Sequence, residues 1–124
     1  GINPTHDLWV NNKEIWKNGE YLTEVITEYA LNSIREAKKE GKPFFLYIPY
    51  NAPHYPMHAP QKYMDRFTNL SWDRQVMAAM ISAVDDAVKI LFFIHSLSSN
   101  NANKPAIPPA PDSPAIITLS SLIG

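Results

Sequence analysis

The chain has 124 residues, 45% apolar and 19% charged, the balance of an ordinary globular protein and enough for one domain. Eleven basic against twelve acidic residues give a net charge of −1, which provides no electrostatic footprint for nucleic acid or an anionic membrane. The absence of cysteine excludes disulfides and thiolate zinc sites. The longest apolar runs, around Phe92-Phe93-Ile94 and from Ala115 to Leu119, fall far short of the ~20 residues of a membrane-spanning helix.

Residues 1–20 are polar and turn-rich and begin at Gly1 without a basic-then-apolar leader pattern. They read as a surface segment pinned by Trp9 and Trp16, with a turn at Asn18-Gly19. Thr23 to Glu40 is predicted to be a helix. Leu22, Val25, Ile26, Tyr29, Ala30, Ile34 and Ala37 recur at helical spacing and form one apolar stripe. Thr23 is the expected N-cap, Glu24 suits the positive end of the helix dipole, Gly41 fits the position just past the helix, and Pro43 blocks continuation.

Phe44 to Tyr50 is a short uncharged apolar run, expected to be a strand buried on both faces. Asn51, Pro53, Pro56 and Pro60 then impose a stiff extended loop, because proline fixes φ and biases the residue before it away from helix. That loop carries His54 and His58 and leaves the carboxyl end of the strand, where open α/β sheets place their ligands. Gln61 to Phe67 suggests a short helical turn around Tyr63 and Phe67, and Asn69-Leu70-Ser71 fits the pattern of a glycosylation acceptor.

Ser71 to Ile94 is predicted to be a second helix, with Ser71 as N-cap and Asp73 in the first turn. Its stripe is Val76, Met80, Ala83, Val84, Ala87, Val88 and Leu91, with Met77 and Met80 as core fillers. Asp85 and Asp86 are adjacent, about 100° apart around a helix, so they cannot chelate one metal together without other partners; a structural or solvated role is expected. From His95 the composition turns to Ser and Asn, then to Pro105, Pro108, Pro109, Pro111 and Pro114, which reads as an irregular polyproline-type tail. Ala115 to Leu119 is a candidate short strand within it.

The expected class is α/β, in the order helix, strand, loop, helix, with an irregular Pro-rich C-terminal tail. Residues 1–94 form the folded segment and 95–124 the tail. A strand with two apolar faces needs neighbours, since each buried orphan backbone group costs on the order of 1–3 kcal/mol. The segment therefore reads as part of a larger sheet, prone to associate through that strand when alone.

The run Pro43 to Tyr63, PFFLYIPYNAPHYPMHAPQKY, resembles the sulfatases, in particular the arylsulfatases of the alkaline-phosphatase superfamily. The shared pattern is the Pro-Phe-Phe-Leu-Tyr strand followed by His-x-Pro-x-x-x-Pro, here His54 to Pro60. Arg74 to Val88 is similar to the helix that follows in these enzymes, and Asp7-Leu8-Trp9 with Gly19 to Thr23 looks like their approach to the preceding helix. The resemblance spans roughly residues 7–91 and implies part of a three-layer sulfatase fold, with sulfate ester hydrolysis as the activity of the complete enzyme. It implies a hydrated formylglycine nucleophile, made from Cys or Ser in a C/S-x-P/A-x-R motif, and a calcium ion held by Asp and Asn. It implies a sulfated small molecule or sugar as substrate and the remainder of the domain to complete the sheet.

The family's loop histidine, close to the sulfate and the leaving-group oxygen, corresponds to His54. His58, His6 and His95 gain no role from the resemblance, and a metal site on His54 and His58 would need ligands not visible in the sequence. The sequence lacks the nucleophile motif and the calcium carboxylates, and after Leu91 it departs from the family pattern. The chain is thus expected to be inactive alone. The competing expectation is a noncatalytic scaffold or binding module working through the proline-rich tail.

Overall fold

A computed structural model describes residues 8–41 and 43–99, with side chains as far as 94. His6, Asp7 and the tail from 100, including the candidate strand at 115–119, lie outside the described residues.

The first described segment of this turn-rich surface stretch is a hairpin. Strand β1 (Trp9–Val10) pairs antiparallel with β2 (Lys13–Glu14), in the register Trp9 to Glu14 and Val10 to Lys13. The two-residue connection places Asn11 at φ 55, a left-handed conformation that asparagine tolerates and tight hairpins require. The Ile15 N–H donates to the Leu8 carbonyl at 2.9 Å and extends the pairing. Trp16, expected as an anchor, is largely exposed. The turn at Asn18-Gly19 forms as expected, with Gly19 at φ 81 and Glu20 N–H donating to Lys17 O.

Helix α1 (Leu22–Glu40) forms where the apolar periodicity places it. Its start differs from expectation. Tyr21 occupies the cap position without a side-chain cap bond, and Thr23 lies inside the first turn, 1% exposed. Thr23 and Thr27 belong to the buried face with Val25, Ile26, Ala30 and Ile34. A threonine can be buried there because its hydroxyl finds a partner within the helix: Thr27 Oγ1 donates to the Thr23 carbonyl at 2.6 Å. The helix ends at Gly41, φ 68, whose N–H returns to the carbonyls of Ala37 and Lys38.

Phe44 to Tyr50 does not form the expected strand; the run has neither a helix nor a paired ladder. The reason is the lack of a partner, since a strand is defined by pairing and no described strand pairs with this run. The side chains nevertheless alternate as in a strand. Leu46, Ile48 and Tyr50 are half-buried, while Phe44, Phe45 (92% exposed), Tyr47 and Pro49 are exposed, so the burial on both faces expected from the sequence is not found.

Helix α2 (Gln61–Met64) and a 3-10 turn (Asp65–Phe67) follow the loop, as the sequence suggested. Helix α3 (Trp72–Ser99) starts directly after Ser71, whose carbonyl accepts the Gln75 N–H at 2.8 Å. It runs five residues beyond the expected end at Ile94. The stretch 95–99, expected to belong to the irregular tail, is therefore helical, since serine weakens a helix without stopping it.

The core lies between α1, α2 and α3. Val76, Ala79, Met80, Ala83 and Ala87 of α3 are buried, and Tyr63 of α2 packs on Ala79 and Ala83. Val88 and Met77, expected in that face, are exposed, and Ala79 takes part instead. Ala79 and Ala83 are small enough for the Tyr63 ring to approach the helix closely.

Candidate functional site

The loop from Asn51 to Pro60 is fastened at both ends to the beginning of α1. At its entry, the Tyr50 hydroxyl and Thr27 Oγ1 are 2.8 Å apart. Thr27 has one hydroxyl hydrogen, already given to the Thr23 carbonyl, so Tyr50 is the donor. Burial raises the pKa of Tyr50. At the exit, His58 stands edge-on to Tyr21, with centroids 5.6 Å apart and planes at 87°. Tyr21 also meets Tyr63 at 6.3 Å. Its hydroxyl is buried without a hydrogen bond of good geometry among the described residues, and burial raises its pKa, with only partial relief from nearby Thr23.

A polar bracket holds α2 in place behind the loop. Glu24 Oε1 accepts a hydrogen bond from the Tyr63 hydroxyl at 2.8 Å and pairs with Lys62 Nζ at 2.7 Å. Partial burial works against the Glu24 carboxylate, yet these two donors outweigh it and set its pKa below the ordinary value. Lys62 and Arg66 both lie over the Tyr63 ring, at 5.0 and 4.9 Å from its centroid. Arg66 reaches α3 with both arms of its fork, Nη1 to Ser82 Oγ and Nη2 to Asp86 Oδ2, each at 2.7 Å. Gln75 Nε2 donates to the Met64 carbonyl at 2.9 Å and ties α3 to the end of α2.

His54 sits half-buried near the middle of the fastened loop. Its Nδ1 is 2.8 Å from the Tyr55 carbonyl oxygen. A carbonyl only accepts, so Nδ1 carries the proton, and Nε2 has no hydrogen-bond partner among the described residues. The ring is therefore fixed through one nitrogen and has the other available. His54 and His58 make no common cluster, and no group of three His, Asp or Glu able to hold a metal occurs among the described residues. Asp86 is engaged by Arg66, Glu24 by Lys62 and Tyr63, and Asp65 by Gln61. The described carboxylates thus do not fit a calcium site.

An open groove of about 440 Å³ crosses the start of α1, lined by Tyr21, Glu24, Glu28, Pro60 and Lys62 among others. Glu20, Glu24 and Glu28 make its wall acidic, which disfavours an anionic ester, and His54 does not line it. Sequence reading placed His54 on its loop but missed the fastening residues Thr27, Tyr50 and Tyr21. Their signal was modest: a threonine at the buried spacing of α1, a tyrosine just before that helix, and another at the end of the apolar run 44–50.

Comparison with known proteins accounts for this arrangement of elements. The sulfatase family model matches residues 1–107. The chain belongs to the sulfatase family. The match continues past Leu91, where the resemblance read from the residues ended. Arylsulfatase J of Mus musculus is 34% identical over 86 residues, covering 67% of this chain and 14% of its own length. The uncharacterized sulfatase YdeN of Escherichia coli (strain K12) is 31% identical over 97 residues, covering 72% of this chain and 17% of its own. Among solved structures, Ps i-CgsB is similar with a TM-score of 0.66 and 37% identity, over 72% of this chain and 20% of that one. The same holds for its complex with k-i-k-neocarrahexaose. The chain thus spans less than a fifth of the length of these two curated relatives. No helix among the described residues is long and apolar enough to cross a membrane.

Proposed function

We propose that this chain is an internal portion of a sulfuric ester hydrolase of arylsulfatase type, in which His54 meets the sulfate group. The observation that carries this reading is His54 itself, half-buried on a loop tied to α1 at both ends, with Nδ1 committed to a backbone carbonyl and Nε2 available. A ring held in this way loses little orientational freedom on meeting a substrate. In the protonated state, Nε2–H donates to a sulfate oxygen or to the departing ester oxygen, where negative charge develops.

Sulfatases generally use calcium and a formylglycine nucleophile. The residues described here do not fit the calcium site, and the sequence has no cysteine and no serine in the required motif, so no step is assigned to either group. The chain alone is accordingly inactive, and the remainder of the domain is the partner that completes both the site and the sheet beside Phe44–Tyr50. The oligosaccharide in the Ps i-CgsB complex favours a sulfated sugar as the substrate class. The test is hydrolysis of a chromogenic aryl sulfate by the complete gene product and by its His54→Ala form. Loss of turnover in the variant is expected, and full activity would refute the role.

A further inference from the structure

We infer that Asn69 is an acceptor for an N-linked glycan, placed on a turn that can carry the added bulk without disturbing the fold. Asn69-Leu70-Ser71 is the sequence's only Asn-x-Ser/Thr triplet without proline at the middle position; Asn3-Pro4-Thr5 is blocked by its proline. The structure adds what the triplet alone lacks. The Leu70 N–H donates to the Phe67 carbonyl at 3.1 Å, closing a turn between the 3-10 segment and α3. Leu70 is half-buried and anchors that turn, while Thr68, Asn69 and Ser71 are exposed. The Asn69 amide has no hydrogen bond to any described residue, so modification breaks no hydrogen bond among them. A glycan is bulky and strongly hydrated and requires such a position.

The co-reactant is an oligosaccharide linked to a lipid pyrophosphate, delivered by a lumenal transferase. The Asn69 amide nitrogen bonds to the anomeric carbon, the bond from that carbon to the pyrophosphate oxygen breaks, the amide releases one proton, and the lipid pyrophosphate departs with the bonding pair. This inference is independent of the sulfatase reading: an unmodified Asn69 leaves the role of His54 intact, and an active His54→Ala enzyme leaves Asn69 untouched.

The test expresses the full 124-residue chain behind a cleavable secretory leader in cultured animal cells, with both lysate and medium examined. The expected result is one glycan, removed by peptide N-glycosidase and mapped to Asn69 by mass spectrometry. It should be lost in Asn69→Gln and in Ser71→Ala and kept in Ser71→Thr. The glycosylated chain should have the same helical circular dichroism as Asn69→Gln. Wild-type chain with the mobility of Asn69→Gln in both fractions, or helical signal lost only in the glycosylated form, would overturn the assignment.

Discussion

The bond between Tyr50 and Thr27 can be measured by a double-mutant cycle of Thr27→Val and Tyr50→Phe. Valine keeps the volume of threonine and removes the hydroxyl; phenylalanine keeps the ring and removes the donor. Thr27→Val also deletes the bond to the Thr23 carbonyl, but it does so in both backgrounds, so that loss cancels in the coupling term. What remains is the 2.8 Å bond, between a buried threonine and a partly buried tyrosine. A hydrogen bond of this kind contributes about 0.5–1.5 kcal/mol net. With a urea slope of roughly 2 kcal/mol per molar, 1 kcal/mol moves an unfolding midpoint by about 0.5 M. The assay is urea unfolding of the chain in dilute solution, followed by circular dichroism, for all four members. Single-mutant effects that add to within about 0.3 kcal/mol would refute the fastening of the loop by this bond.

Two further predictions use contrasts within the same structure. Met80→Ala should destabilise by about 2–5 kcal/mol and Met77→Ala by less than about 0.5, because Met80 is 1% exposed and Met77 40%; equal unfolding midpoints for the two would contradict the packing described. Glu24 has its pKa lowered by Lys62 and Tyr63 against the effect of burial, so the sign is that of a depressed carboxylate. Its contribution is present above the ordinary carboxylate range and is lost as pH falls through the lowered value. Stability measured between neutral and acidic pH should fall less steeply in Glu24→Gln than in wild type, and identical acid limbs would remove the bracket from the account.

Much of the fold was legible because it is local. The apolar spacing of α1 and α3, the stop at Gly41 and the turn at Asn18-Gly19 are decided by residues within a few positions of one another. The strand at Phe44–Tyr50 failed for the opposite reason. Its burial on both faces is not found either, since Phe44, Phe45 and Tyr47 are exposed and only one side of the extended run is half-buried; pairing depends on chain that these residues do not supply. Thr23 illustrates a finer ambiguity: the same side chain suits a cap or a buried first turn, and the packing of Tyr21 against His58 and Tyr63 coincides with the second. Of the candidate site, the place of His54 on its proline-stiffened loop was legible in the sequence. The hydrogen bond to Tyr55 and the tyrosines that fasten the loop depend on backbone angles and contacts across the fold, which spacing does not encode.

The fork of Arg66 also limits how the length of this chain can change. Ser82 and Asp86 are about one helical turn apart on α3, and the guanidinium spans that interval. One residue inserted between them would swing Asp86 by about 100° and strand half of the fork, and a lysine at 66 would lack the second arm. The same insertion at the Asn11-Asn12 hairpin tip would meet exposed backbone and disturb no side-chain pair of this kind. Length variation among relatives should therefore collect at the hairpin and avoid the middle of α3.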